Sequence, residues 1–413
     1  MSPAATTTEK RPAPADASTE TKNGAGRTDL TLSIDVEPNG RVASGSVMGA
    51  MWIRLGPCVL GLVMAGCGSS SPAGAGGTPG EDAGNVNEGS VATPEGGEAA
   101  SPSPEGGCAT GSSTTTPLYQ TNDQVLSMQL SNGLLYFATP AGVWSMPPSG
   151  GSATEIVTPI AGGSVQAFFV TATRVVWADL SAAAFQPLLH VKALSGGATT
   201  DLMGGTLAPL GSLAATDTVA YPLVIDSVNL KAVPLDGGAA TTVAMNTDLT
   251  ALLIVGQNLY FANGFSGTPA DALLRVPLVG GSPQSVATFG MEGQGPIATD
   301  GQNLYLASNL NQQYSLEAWA LSGGSLTTIY NSSSDTRVFA AAGGRAYFGQ
   351  PSACGDGGLS QFNVWEIGAD KSGLKVDVSG VEQPVAMAAD MNSVYVATQA
   401  GTLGAGHILR FAR

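Results

Sequence analysis

Histidine is almost missing from this chain. Only His190 and His407 occur among 413 residues, and they lie far apart. That argues against a multi-histidine metal centre and against most histidine-based acid–base chemistry. Charge is scarce too. Asp, Glu, Lys and Arg make up 11% of the chain, against about 25% in an ordinary soluble domain. Lys and Arg number 16 against 31 carboxylates, a formal net charge of −15. A nucleic-acid binder needs a basic stripe for the phosphate backbone, so no nucleic-acid partner is expected. A phosphate loop, HExxH and GxSxG are all absent. The glycines after Cys354 (Gly355, Gly357, Gly358) lack the lysine of a phosphate cradle and read as a surface loop. No catalytic residue, cofactor or metal is assigned, and the sequence leans away from an enzyme. Glycine and proline, by contrast, are plentiful. Their 56 and 25 residues are about a fifth of the chain, against about 12% on average. Helical bundles and coiled coils are thereby disfavoured, and short strands with tight turns favoured.

The N-terminal quarter divides into three stretches. Residues 1–50 are polar, hold six acidic and five basic residues, show no periodicity and read as disordered. Residues 51–66 differ. Arg54 precedes a 12-residue apolar run from Leu55 to Gly66, with small residues before Cys67. This is the layout of a secretory signal, and the run is short for a bilayer span. Residues 67–107 follow. Positions 68–107 hold 11 Gly, 5 Pro, 6 Ser and six carboxylates, with no Lys or Arg. Such a segment cannot bury a core and acts as a flexible tether of about 35 Å root-mean-square reach. Because a signal belongs near the start of a chain, translation is expected from Met48 or Met51, or residues 1–50 are an unusually long leader.

Met64-Ala65-Gly66-Cys67 resembles the lipobox of bacterial lipoproteins. The resemblance implies cleavage before Cys67 and a diacylglycerol on its thiol. It also implies an exported protein, membrane-anchored at the cell envelope. Gly68, where the enteric sorting rule looks for Asp, implies the outer membrane, on its periplasmic or surface face.

Residues 108–413 carry an internal repeat. Tyr136, Trp177, Tyr221, Tyr260, Tyr305, Tyr347 and Tyr395 sit in alternating apolar runs, separated by 41, 44, 39, 45, 42 and 48 residues. That period fits a four-stranded propeller blade. Each unit reads as a small apolar strand, a polar turn such as Asp300-Gly301-Gln302-Asn303, and the aromatic strand. A third strand and a Gly-Gly turn follow, then a fourth strand. Glycine supplies the positive φ of such hairpins. Five of seven units carry the Gly-Gly pair; unit six has Ala369-Asp370-Lys371-Ser372-Gly373. Unit seven stops after its third strand. Residues 114–120 are β-prone and unassigned, and would supply the missing outer strand and close the ring. The expected fold is all-β, a seven-bladed propeller of four-stranded antiparallel blades. An elongated β-solenoid or two sandwiches are the competing architectures. The repeats resemble YWTD-type and TolB-like propeller repeats, with Val176-Trp177-Ala178-Asp179 the nearest match. The other units lack that Asp, so no family ligand site carries over.

With Cys58 in the signal and Cys67 lipidated, Cys108 and Cys354 remain. In an exported protein they are expected to pair, fastening the N-terminal edge to unit six; two free thiols are the alternative. The loops between second and third strands and between units vary in length and share one face. Phe185, Phe265, Met291 and Asp356 are candidate rim residues for a protein or polysaccharide partner there. Asp300 and Asp390 occupy one turn position and suggest backbone capping. His190 and His407 read as structural. The function favoured is an envelope-anchored binding or scaffolding module of unknown ligand. The alternative is a lyase or hydrolase acting on an envelope or extracellular polymer, with ionisable groups at the channel. A calcium- or sugar-binding propeller would need regular acidic loops, which are lacking.

Overall fold

The structure, a computed structural model, describes residues 117–413 apart from ten short stretches. Those are 182–186, 205–211, 223–228, 246–248, 264–271, 289–295, 311–312, 333–338 (except Thr336), 352–360 and 400–405. The described residues contain 28 strands and no helix.

The chain begins with β1 (Tyr119–Thr121). Blade 1 is β2 (Ser127–Ser131), β3 (Leu134–Thr139), β4 (Gly142–Met146) and β5 (Thr154–Val157). Blade 2 is β6 (Gly163–Val170), β7 (Arg174–Ser181), β8 (Pro187–Ala193) and β9 (Thr200–Gly204). Blade 3 is β10 (Leu213–Ala215), β11 (Val219–Pro222), β12 (Asn229–Pro234) and β13 (Thr241–Met245). Blade 4 is β14 (Leu249–Val255), β15 (Asn258–Asn263), β16 (Ala272–Pro277) and β17 (Gln284–Thr288). Blade 5 is β18 (Ile297–Thr299), β19 (Asn303–Leu310), β20 (Gln313–Ala320) and β21 (Thr327–Ser332). Blade 6 is β22 (Phe339–Ala342), β23 (Arg345–Pro351), β24 (Phe362–Gly368) and β25 (Lys375–Val381). Blade 7 is β26 (Gln383–Ala389), β27 (Ser393–Gln399) and β28 (Gly406–Ala412), with β1 as its outer strand. Each blade is one four-stranded antiparallel sheet, so the fold is a seven-bladed propeller. Neighbouring innermost strands touch in an unbroken circuit, β26 closing onto β2.

Apolar side chains fill the seams between blades, and the repeated tyrosine supplies much of that filling. Tyr305 packs with Ala346 and Phe348 of the next blade, Tyr347 with Val394 and Val396, and Tyr395 with Leu135 and Phe137. Trp177 does not follow this rule. It packs backwards, against Tyr136 and Ala138 of blade 1. The turn before it explains why. The Thr171 amide donates to the Arg174 carbonyl, as Asp300 does to Asn303 and Asp390 to Ser393. Counted from that turn, Val176 occupies the tyrosine place and Trp177 the next one.

The turns are built as their residues dictate. Both glycines are at positive φ in four Gly-Gly pairs, for example 100° and 125° at Gly323 and Gly324. In unit six Lys371 (φ 67°) and Gly373 (φ 67°) take that role. Asp300 Oδ1 accepts the amides of Gln302 and Asn303 at 2.7 and 2.6 Å, and Oδ2 accepts the Tyr305 hydroxyl at 2.7 Å. Asp390 repeats this with Asn392, Ser393 and Tyr395 at 2.7, 2.8 and 3.1 Å. Both aspartates are backbone caps.

Candidate functional site

The two ends of the ring are built differently. At one end, the first-to-second strand turns are two or three residues long in every blade. The third-to-fourth hairpin of a blade is tied to that turn by one backbone bond. The amides of Leu194, Leu235, Leu278 and Leu321 donate to Thr173, Thr218, Gln257 and Gln302 at 2.8, 2.8, 2.9 and 2.8 Å. Ala369 and Arg413 make the same bond in blades 6 and 7. At the other end, second-to-third connections run from two residues in blade 1 to ten in blade 6. The inter-blade connections share that end. Short, cross-tied turns leave little that can vary, whereas the connection end is a rigid rim bearing loops.

The second strands hold the base of that end in place through a position the sequence reading missed. Counted from the turns, Thr139, Asp179, Asn263, Ser308, Gln350 and Thr398 are equivalent, and all are buried. Three grip the connection arriving from the previous blade. The Ile160 amide donates to Asp179 Oδ2 at 3.0 Å, Gln350 Nε2 donates to Thr336 Oγ1 at 3.1 Å, and the Thr398 hydroxyl donates to Glu382 at 3.1 Å. Ser308 instead meets Ser315 at 3.1 Å across its own blade. The signal was present as a polar residue three places after the tyrosine position in six of the seven repeats; blade 3 has Val224. The displaced aromatic of blade 2 hid it.

Asp179 also forms the one buried histidine–carboxylate cluster among the described residues. His190 Nε2 lies 2.8 Å from Asp179 Oδ1, and Nδ1 lies 2.8 Å from Asp201 Oδ1. The ring stacks on Trp177 at 5.1 Å and 27°. Two carboxylate partners require a proton on both nitrogens, so the ring is an imidazolium. Burial works against that charge and is the largest single influence. The hydrogen bonds and charges of Asp179 and Asp201 together outweigh it and hold His190 above the usual range. The same balance runs the other way in Asp179. Burial pushes it up, but His190 and the Ile160 amide hold it below the usual carboxylate range. With both nitrogens engaged, His190 has no lone pair for a metal or a substrate proton. It clamps three strands of blade 2. His407 is bound by Glu382, Nδ1 to Oε2 at 3.1 Å, beside the closing strand.

The seven innermost strands, β2, β6, β10, β14, β18, β22 and β26, contain no Asp, Glu, Lys, Arg or His. Glu317, on β20, faces the blade 4 seam beside Leu306, its cross-strand partner. There blades 1, 4, 6 and 7 carry Trp144, Leu274, Trp365 and Leu409, and blade 2 carries His190. Burial pushes its carboxyl above the usual range. No group of ligating residues with metal-binding geometry occurs among the described residues. Phe185, Phe265, Met291, Asp356, Cys67, Cys108 and Cys354 lie outside the described residues.

No family model matches the chain, and no curated protein is similar to it in sequence. Solved structures are similar in fold. The β-propeller domain of the Trilobed protease from Pyrococcus furiosus aligns with a TM-score of 0.52 at 7% identity, over 70% of this chain and 95% of that one. The Neurospora crassa Pan2 WD40 domain aligns at 0.51 and 9% identity, over 72% and 95%. The Niastella koreensis GH74 enzyme aligns at 0.53 and 12% identity over 68% of this chain. The chain spans about half of that enzyme, 52% of its length. These likenesses show the propeller fold.

Proposed function

We propose that this chain is an exported lipoprotein, held at the cell envelope by lipid on Cys67, whose propeller is a binding or scaffolding module. The observation that carries the reading is the order of parts. An apolar signal with a lipobox-like end precedes a long Gly/Pro/Ser tether, and the tether leads into a ring with one loop-bearing end. The uncharged innermost strands support binding over catalysis, since an enzyme of the channel would need acid, base or nucleophile there. A protein or polysaccharide is the partner class that suits a broad rim of loops, and Phe185, Phe265, Met291 and Asp356 are the rim residues we assign. Cys108 and Cys354 we pair in a disulfide, worth about 5 kcal/mol by chain entropy.

The test joins fractionation with loop exchange. The chain should fractionate with membranes, and Cys67→Ser should release it. Replacing residues 352–361 and 264–271 with short Gly/Ser turns should abolish capture of an envelope partner while leaving the thermal transition within a few degrees. Capture unaffected by both exchanges would contradict the assignment of the binding end.

A further inference from the structure

The first described residues show where the chain joins the ring. β1 pairs with β28, Tyr119 opposite Ile408 and Thr121 opposite Gly406. β28 starts at the connection end and finishes at the hairpin end, so antiparallel β1 comes from the hairpin side. Two further steps in this register bring Pro117 beside Arg410. The Leu118 side chain confirms the direction. Its Cδ2 lies 2.8 Å from where a Cβ on Gly150 would stand, in the Gly-Gly hairpin of blade 1. The chain therefore enters at the hairpin end, between blades 7 and 1.

The same sector gathers cations. Arg345, Lys371, Lys375, Arg410 and Arg413 lie on the hairpin end of blades 6 and 7, five of the nine Lys and Arg among the described residues, while Arg174, Lys192 and Arg275 lie at that end of blades 2 and 4. Three carboxylates share the sector, and two of its cations are paired with one of them. Glu366, 4% exposed, sits between Arg345 and Lys375 at 2.7 and 3.2 Å. Asp390 caps its turn, and Asp370 binds Ser372. Arg413 lies over the Tyr347 ring at 5.3 Å, and Arg410 Nε donates to Ser393 at 2.9 Å. Exposed Met391 stands in the same turn. The turns and hairpins of blades 3 and 5 carry Asp217, Asp236 and Asp300 instead. Blades 6 and 7 thus hold five cations against three carboxylates at the end where the chain enters.

We propose that the hairpin end of blades 6 and 7 docks onto the anionic lipid headgroups of the membrane that holds Cys67. The inference rests on the anchoring reading above. A tether of about 35 Å reach keeps this face near the bilayer at high effective concentration. Exposed Lys and Arg then bind phosphate headgroups, and Met391 adds an apolar contact. The connection end then points outward to its partner.

The experiment uses the full chain carrying Cys67→Ser, so that no lipid anchor contributes. Co-sedimentation is measured with vesicles of phosphatidylcholine alone and with added phosphatidylglycerol. Binding should favour the anionic vesicles and weaken in 0.5 M salt. Joint substitution Lys371→Gln, Lys375→Gln, Arg410→Gln and Arg413→Gln should lower anionic-vesicle binding at least about tenfold, with phosphatidylcholine binding unchanged. Lys371→Glu, at an exposed hairpin tip, should lower it in the same direction without a folding risk. Lys231→Gln with Arg275→Gln, outside the sector, should leave it unchanged. Equal binding by parent and both sector variants would overturn the proposal. A parent chain whose Cys67 proves unlipidated would overturn the anchoring reading alone, because the vesicle comparison does not use the anchor.

Discussion

Three buried ionisable groups show how one residue sets local stability. Replacing His190 with Ala strands the Asp179 carboxylate in the blade 1–2 seam, at a cost of about 3–5 kcal/mol. Asp201 is 80% exposed, so Asp201→Asn should cost far less. The pH dependence has two limbs. His190 is held above its ordinary 6.5, so its stabilisation is present below that pH and lost as pH rises through the raised value. Asp179 is held below its ordinary 3.8, so its contribution is present above that pH and lost as pH falls through the lowered value. Urea unfolding across pH should show a maximum between the limbs, and His190→Ala should flatten the alkaline one. Glu317 acts in reverse. Its carboxyl is held above its ordinary 4.5, so ionisation opposes folding as pH rises from there. Glu317→Leu, the residue type of blades 4 and 7, should stabilise the chain at pH 7 by about 1–3 kcal/mol. The capping aspartates predict the opposite sign. Asp300→Ala removes the acceptor for two amides and for the buried Tyr305 hydroxyl, and should cost about 2–3 kcal/mol. Tyr305→Phe should cost less, since both partners of that bond are not then left unmet.

Elements explain what could be read in advance. The repeat period, the Gly-Gly hairpins and the aspartate turns are legible in the sequence because each is satisfied within a few residues. The positive φ at Gly323 and the cap at Asp300 need no knowledge of neighbouring blades. The seam contacts are different. Asp179 meets His190 across a strand pair and Ile160 from the preceding blade, and nothing local announces either. Trp177 misleads for the same reason, since its aromatic character matches the tyrosines while its turn places it one residue later. Of the candidate site, the loop-bearing end is legible through loop lengths, whereas its assigned rim residues lie outside the described residues. The closing strand is the element most exposed to test. β1 pairs over only three residues. Deleting residues 117–121 should leave the edge of β28 open, raise amide exchange across β26–β28 at least about tenfold, and promote edge-to-edge association. Blades 3 to 5 should keep their protection.

At the scale of the molecule, the parts form one device. The ring closes through its own first and last strands, which fixes where the chain enters. Entry at the hairpin end brings Pro117 beside the cations of blades 6 and 7 and leaves the connections on the opposite end. The low overall charge thereby resolves into a pattern, with uncharged innermost strands and a cation excess on the hairpin end of blades 6 and 7. All of this gives the propeller a defined attitude only if the chain is held at a surface, so the anchor is the central claim. Mass spectrometry of the mature N-terminus, from protein made in a bacterial host, tests it most directly. The account predicts a first residue of Cys67 carrying a diacylglycerol thioether. A mature chain that begins elsewhere, or a Cys67 with an unmodified thiol, would contradict it.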